Sequence, residues 1–491
     1  MANISIIGSG FSGLAASCFA AKEGHRVAVF EKNRDIGGRA RVYSAEGFTF
    51  DMGPSWYWMP DIFENFFSAF GKSAADYYEL KQLDPGFQII FGKDDVIEIP
   101  ASMDELEQVF ESIEPGSAVA LRKFLKEAEF KYEVGMKDLV YKPAFSWMEY
   151  ANMDVVQGML KANLFSSVSS HVKSYFRDER LIALMEFPVL FLGAMANRIP
   201  ALYTMMNYSA LVQGTFYPVG GMCKIVSGMK ELAESLDVEF HAGVQVEHIE
   251  VTGGLVSGLK TSIGPVKTDG LIAAADYHHV EQQLLDEPYR NYKEKYWEKK
   301  TFAPSCLIYY VGVSKKLKKL QHHNLFFDAD FTQHAHDIYS SPQWPEEPLF
   351  YVCCPSKTDA GVAPEGMENL FLLVPVAAGL KDDVTTREGY FDGLIRRVEN
   401  FCGESFREQI IYKRTYCIND FTEDYHAYKG NAYGLANTLM QTAVLKPSLK
   451  NKQLKNMFYA GQLTVPGPGV PPALISGQVA AGQLDQYFKR K

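Results

Sequence analysis

The sequence predicts an α/β fold in which a parallel sheet is assembled from distant stretches of chain, with an α+β unit inserted between them. Three observations predict it. The apolar run Ile4-Ser5-Ile6-Ile7 enters the turn Gly8-Ser9-Gly10-Phe11-Ser12-Gly13 and leaves into the small-residue stretch Leu14-Ala15-Ala16-Ser17-Cys18-Phe19-Ala20-Ala21. A second apolar run, Val27-Ala28-Val29-Phe30, ends on Glu31. A third, Met457-Phe458-Tyr459, enters another glycine turn at Gly461, at the far end of the chain. Strand, glycine turn and helix in that order form a Rossmann-like dinucleotide site.

In the first turn, Gly8 permits the tight bend, Gly10 lets backbone approach a pyrophosphate, and Gly13 lets the helix pack closely on the sheet. Free N–H groups and the dipole at the helix start favour phosphate, so Ser9, Phe11 and Ser12 join the glycines as expected cofactor contacts. Gly24-His25-Arg26 turns the chain into the second strand. Its last residue, Glu31, can accept ribose hydroxyls, and with no Arg beside it disfavours a 2′-phosphate. NAD and FAD both fit to this point.

Glu31-Lys32 is followed by Asp35-Ile36-Gly37-Gly38-Arg39-Ala40-Arg41 and then Phe48-Thr49-Phe50-Asp51-Met52-Gly53-Pro54. A glycine pair and a basic residue so soon after the acidic strand end resemble the signature of the amine-oxidase-like FAD flavoproteins. That resemblance implies FAD, with Gly38 admitting backbone close to the flavin and Arg39 near the diphosphate. Lys32, Gly53, Pro54 and Ser55 belong to the same expected set.

At the other end, Pro466-Gly467-Pro468-Gly469-Val470-Pro471-Pro472 sets rigid turns before an apolar helix expected from about residue 473 to 488. Proline suits the first positions of a helix. A helix start aimed at the flavin pyrimidine would stabilise the negative charge that develops there on reduction. Gly461, Gln462, Gly469, Val470 and Pro471 are therefore the flavin-end residues.

Three further runs narrow the family. Phe50-Asp51-Met52-Gly53-Pro54-Ser55, Gly430-Asn431-Ala432-Tyr433-Gly434 and the stretch 461–477 resemble bacterial-type carotenoid desaturases. The variant Gly53-Pro54-Ser55-Trp56-Tyr57-Trp58-Met59-Pro60, with the runs 183–193 and 321–327, is most similar to the phytoene desaturase branch. The resemblance covers essentially the whole chain. It implies stepwise dehydrogenation of phytoene towards lycopene by hydride transfer to FAD. It further implies a carotenoid substrate held in the membrane and oxygen or a quinone as electron acceptor. A desaturase of a later, hydroxylated carotenoid and a carotene cis–trans isomerase of the same fold stay open as alternatives.

The motif positions divide the chain. Residues 1–60, 216–285 and 420–491 are expected to form a discontinuous FAD-binding domain, and 61–215 and 286–419 an α+β substrate domain. Residues 244–251 and 253–259 read as a strand-turn-strand pair, and 268–276 as a buried strand of the same sheet. In flavoproteins of this type such a segment returns to the FAD domain, where Val246 would set backbone groups against adenine.

Composition bounds the rest. A chain of 491 residues, 47% hydrophobic with 33 Phe and 27 Tyr, can bury a sizeable core. Its net charge of −10 argues against nucleic acid as a partner. Seven cysteines, scattered except for Cys353-Cys354, show neither metal spacing nor a disulfide framework, so no metal centre is expected. The odd number fits a reducing cytoplasm, and no basic leader precedes the first strand. The expected location is cytoplasmic, peripherally associated with the inner face of the membrane. Two long uncharged stretches, 199–223 and 456–484, are broken by prolines and polar residues and do not read as spans. Residues 155–180 place Leu160, Leu164, Phe165, Val168 and Val172 at helical spacing beside Lys161, Lys173, Arg177 and Arg180. Such a helix can lie in a membrane interface or cap the protein's own core. Trp56, Tyr57 and Trp58 can line the mouth of the site or attract positive charge to their faces. Glu149, Asp424, His278, His279, His322 and His323 are each available as acid or base, and none stands out; the catalytic residues remain unassigned.

Overall fold

The computed structural model describes residues 1–137, 139–150 and 166–491. The 155–165 part of the proposed interfacial helix therefore lies outside the described residues. The helix's described end is inward-facing: Val168 and Val172 are fully buried.

Five parallel strands form the first sheet, in the order Met457–Tyr459, Gly270–Ala273, Asn3–Ile7, Arg26–Glu31 and Glu239–Ala242. The strand Gly270–Ala273 is buried at every position, as a central parallel strand covered on both faces must be. Here the structure corrects the sequence reading. Val246–Thr252 and Leu255–Thr261 do pair, but they join Gly264–Lys267 in a separate antiparallel sheet of three. The following strand leaves them for the parallel sheet, because its unbroken apolar run suits two covered faces and theirs, with exposed polar positions, does not.

The helices Phe11–Lys22 and Val470–Lys489 lie against each other on this sheet. Glycine makes the contact possible: a Cβ on Gly477 would sit 2.1 Å from the Ser12 carbonyl oxygen. A Cβ on Gly13 would sit 2.0 Å from the Gly8 carbonyl oxygen, so that glycine lets the first helix close on its own turn. The C-terminal helix starts at Val470, three residues before the expected position, with Pro471 and Pro472 in its first turn.

A second sheet has seven strands in the order Ile410–Tyr416, Ser305–Val313, Glu368–Val376, Phe350–Cys353, His323–Phe326, Phe87–Gly92 and Asp95–Ile99. All neighbours are antiparallel except His323–Phe326 and Phe87–Gly92. Alternation along the strands divides its two faces. Leu307, Tyr309, Val311, Leu370, Leu372 and Val374 pack with Leu394, Ile395 and Val398 of the helix Val384–Cys402. Ile308, Tyr310, Tyr351, Phe371 and Leu373 face the other way and share a core with residues of the parallel sheet and its helices. Between the two layers lies the cavity described next. No helix among the described residues is long and apolar enough to cross a membrane.

Candidate functional site

One cavity of about 710 Å³ runs through the molecule. Gly8, Ser9, Gly10, Phe11, Ser12, Glu31, Lys32 and Val246 border one end. Gly38, Arg39, Gly53, Pro54 and Ser55 follow, and Gly461, Gln462, Gly469, Val470 and Pro471 close the same wall. Of the residues singled out as cofactor contacts, only Gly13 is missing from the lining; it packs its helix against the Gly8 carbonyl and Ala274.

The local geometry explains how the two glycine turns are held. Glu31 is buried and accepts four hydrogen bonds. Its Oε2 takes the Ser9 backbone N–H at 3.0 Å and the Ser9 hydroxyl at 2.8 Å. Its Oε1 takes the Asn33 backbone and side-chain N–H groups at 2.9 and 3.0 Å. The carboxylate is thus a brace for the first turn. Gly37 N–H donates to the Ser9 carbonyl at 3.1 Å, and a Cβ on Gly38 would come within 3.1 Å of Gly10 Cα. The second glycine site therefore packs directly on the first. Lys32 donates to the Glu423 carbonyl, and burial lowers its affinity for a proton.

Arg39 is the cation in the middle of the cavity. Its guanidinium lies 5.0 Å from the Tyr425 ring centroid and donates to the Asn431 carbonyl at 3.3 Å. Its Nε is buried with no hydrogen-bond partner among the described residues. Burial holds the group below the ordinary arginine range. At the far end, the Gly461 N–H donates to Ser476 Oγ at 3.0 Å, tying that turn to the C-terminal helix. Gln462 donates to Asn431 at 3.2 Å.

This construction has known counterparts. The model of the flavin-containing amine oxidoreductase family matches residues 11–485. The chain is 39% identical, over 98% of both chains, to a carotenoid 3,4-desaturase of Haloarcula japonica. It is 31% identical to a zeta-carotene-forming phytoene desaturase of Myxococcus xanthus, over 98% of this chain and 93% of that one. Among solved structures, an oxidoreductase from Methanosarcina mazei superposes with a TM-score of 0.65 at 15% identity, covering 97% of this chain and 98% of the other. The chain belongs to the carotenoid desaturases of the flavin-containing amine oxidoreductase family. It is an FAD oxidoreductase, as the glycine motifs led one to expect.

The residues present fit that cofactor. A guanidinium with a shielded, unpartnered Nε suits a diphosphate, and the Phe11–Lys22 helix presents its N-terminus to the same cavity. Two further unpartnered atoms stand behind Gly467. Asn437 Oδ1 and Lys446 Nζ lie 3.0 and 3.1 Å from the point a Cβ there would occupy, and neither has a partner among the described residues. Burial, reinforced by Lys300, pulls the Lys446 ammonium down to about 7.

The acid–base candidates separate cleanly. Asp424 and His279 line the cavity. Asp424 accepts from Arg41 at 2.5 Å and from the Tyr416 hydroxyl at 2.8 Å. His279 stacks on His426 with centroids 3.9 Å apart, and burial with that neighbour holds it neutral, at about 3. Glu149 accepts the backbone N–H groups of Ala144, Phe145 and Ser146, a loop cap. His278 pairs with Glu294 at 2.8 Å, outside the cavity. His322 and His323 stand behind the wall, although His323 stacks on Trp56 with centroids 4.1 Å apart. Trp56 and Trp58 line the cavity; Tyr57 is core, stacked on Phe63 and bonded to the Tyr78 hydroxyl at 2.9 Å.

Two parts of the site had no signal in the sequence. Tyr425, at the end of the helix Ile418–Tyr425, reaches the lining through the packing of segments distant in the chain. Beyond Ser55 the cavity continues into an apolar limb bordered by Met136, Leu139, Val140, Trp147, Leu202, Met205 and Met206. No motif marks those residues; helix packing brings them together.

Proposed function

We propose that the chain introduces double bonds stepwise into phytoene, towards lycopene, drawing its substrate from a membrane surface. The apolar limb of the cavity carries this reading. Its lining takes in Met136, Leu202, Met206 and Trp147 alongside the glycine turns. Trp147 and its chain neighbours Phe145 and Met148 are 61, 43 and 83% exposed, which supports a patch that rests in lipid. Its methionines are unbranched and adaptable, so the limb can follow a chain whose bends change as double bonds are added.

In this reading Gly8, Ser9, Gly10, Phe11, Ser12, Glu31 and Lys32 hold the adenosine and phosphate end of FAD, with Val246 against adenine. Gly38 and Arg39 hold the diphosphate, and Gly53, Pro54, Ser55, Gly461, Gln462, Gly469, Val470 and Pro471 the flavin end. When bound, FAD supplies the acceptor for the hydride removed from the substrate. The chain orients the polyene between the two walls and keeps water out. The faces of Trp56 and Tyr433 attract the positive charge that develops beside the polyene. The parallel sheet, with residues 1–60, 216–285 and 420–491, is the FAD-binding domain in this account. The seven-stranded sheet and its helices, in 61–215 and 286–419, form the substrate domain. Oxygen or a quinone takes the electrons afterwards.

A second reading, desaturation of a later carotenoid, is favoured by the 39% identity to a 3,4-desaturase. Expression in a phytoene-accumulating bacterial host separates them. Products lighter than phytoene by successive pairs of hydrogens support the first reading. Unchanged phytoene, with desaturation of a supplied hydroxylated carotenoid, supports the second. An altered isomer of unchanged mass would show an isomerase instead.

A further inference from the structure

Behind the wall that carries Ser55 and Trp56, two strands bring together a second set of side chains. His323–Phe326 pairs antiparallel with Phe350–Cys353, and the register sets His323 directly opposite Cys353. His322 lies just before the strand, its ring centroid 4.5 Å from that of His323. One ring nitrogen from each histidine and the Cys353 sulfur all lie within 4.8 Å of one another. All three residues are buried, at 4, 0 and 2% exposure.

The hydrogen bonding of this group is half complete. His322 Nδ1 is bonded to the Thr358 hydroxyl at 2.7 Å, and His323 Nδ1 to the Tyr351 hydroxyl at 2.6 Å. The Nε2 atoms of both rings have no partner among the described residues. Two orphaned nitrogens in one buried cluster call for an occupant. A small cavity bordered by Asp51, Tyr217, His322 and Cys353 adjoins them, with room for a single water-sized sphere.

We propose that His322, His323 and Cys353 form a buried binding site for one divalent cation of the zinc type. Imidazole and thiolate are donors such an ion takes, and the adjoining cavity has room for a water as the fourth. Binding the ion displaces the Cys353 thiol proton to solvent, so charge and atoms balance. Thr358 and Tyr351 hold the opposite ring nitrogens, the arrangement that orients metal-bound histidines.

The site has a consequence for the neighbouring cavity. Tyr351 and Trp56 are cavity walls, and both rest on His323. An ion there would fix the position of both rings.

The test is made on full-length, FAD-loaded protein purified without added metal and freed of any histidine tag. Elemental analysis is expected to find about one zinc per chain, retained through gel filtration. Protein stripped with a chelator is expected to take up Co2+ with a near-ultraviolet thiolate-to-cobalt band. Cys353→Ser should abolish that band, and Thr358→Val, which leaves every ligand in place and removes only the hydroxyl bonded to His322 Nδ1, should weaken uptake by about 10–100-fold. If Cys353→Ser does not fold, the cobalt titration of stripped wild-type protein decides alone. Protein that arrives metal-free and takes up no Co2+ would overturn the proposal and leave a water in the cavity. So would a folded Cys353→Ser variant that retains metal at the wild-type level.

Discussion

Glu31→Gln is the sharpest perturbation of the glycine turns. The carboxylate accepts four N–H or O–H groups, two on each oxygen. Glutamine keeps one acceptor oxygen and turns an NH2 towards the other two donors. Hydrogen bonds to a charged group contribute about 1.5–3 kcal/mol each, so losing two gives about 3–6 kcal/mol before relaxation. Rotation of the amide and entry of water recover part of this, which leaves about 2–4 kcal/mol. If the loss falls on the turn that meets the phosphates, FAD affinity drops by roughly 30- to 900-fold. Titration of apoprotein with FAD, followed by flavin fluorescence, measures it directly. Ser9→Ala is the milder companion, removing one of the four bonds for about 1–2 kcal/mol. An FAD affinity for Glu31→Gln within about threefold of wild type would refute the brace.

Other expected outcomes rest on separate contacts. Arg39→Met removes the buried guanidinium and should weaken FAD binding by about 10- to 100-fold, with little change in the far-ultraviolet spectrum of the apoprotein. Gly477→Val drives side-chain carbon against the Ser12 carbonyl, where even a Cβ would lie 2.1 Å away; a melting temperature within about 2 °C of wild type would contradict the helix contact. Lys446, held at about 7 when folded against its ordinary 10.5, makes the unfolded chain the stronger proton binder between those values. Apoprotein stability should therefore rise as pH increases through that window, by at most about 1.4 kcal/mol per pH unit, and Lys446→Met should flatten the rise and stabilise the protein at neutral pH.

The cofactor end of the molecule was legible because its chemistry is local. A glycine turn, an acidic strand end and a proline-rich helix start are short, and each has one physical reason for its composition. That locality also misled in one place. Gly270–Ala273 follows a strand pair closely in sequence, yet pairs with Asn3–Ile7 and Met457–Tyr459. Burial on both faces, not proximity, chose its partners. The bracing role of Glu31 escaped the sequence because its bonds to Ser9 and Asn33 follow from the packing of the turns and not from any spacing. The apolar part of the cavity was illegible for a different reason. Met136, Leu202 and Met206 line the cavity only through helix packing, and their spacing is that of ordinary core residues. His323 and Cys353 are far apart in the chain, and only strand register sets them opposite each other.

The central claim is that the chain removes hydrogen from a carotenoid and that bound FAD receives it. Anaerobic mixing of FAD-loaded protein with phytoene in liposomes, in a single turnover, tests it most directly. The account predicts loss of the oxidised flavin band in step with a product two hydrogens lighter, one double bond per flavin. Flavin that stays oxidised beside phytoene of unchanged mass, in protein shown to hold FAD, would contradict it.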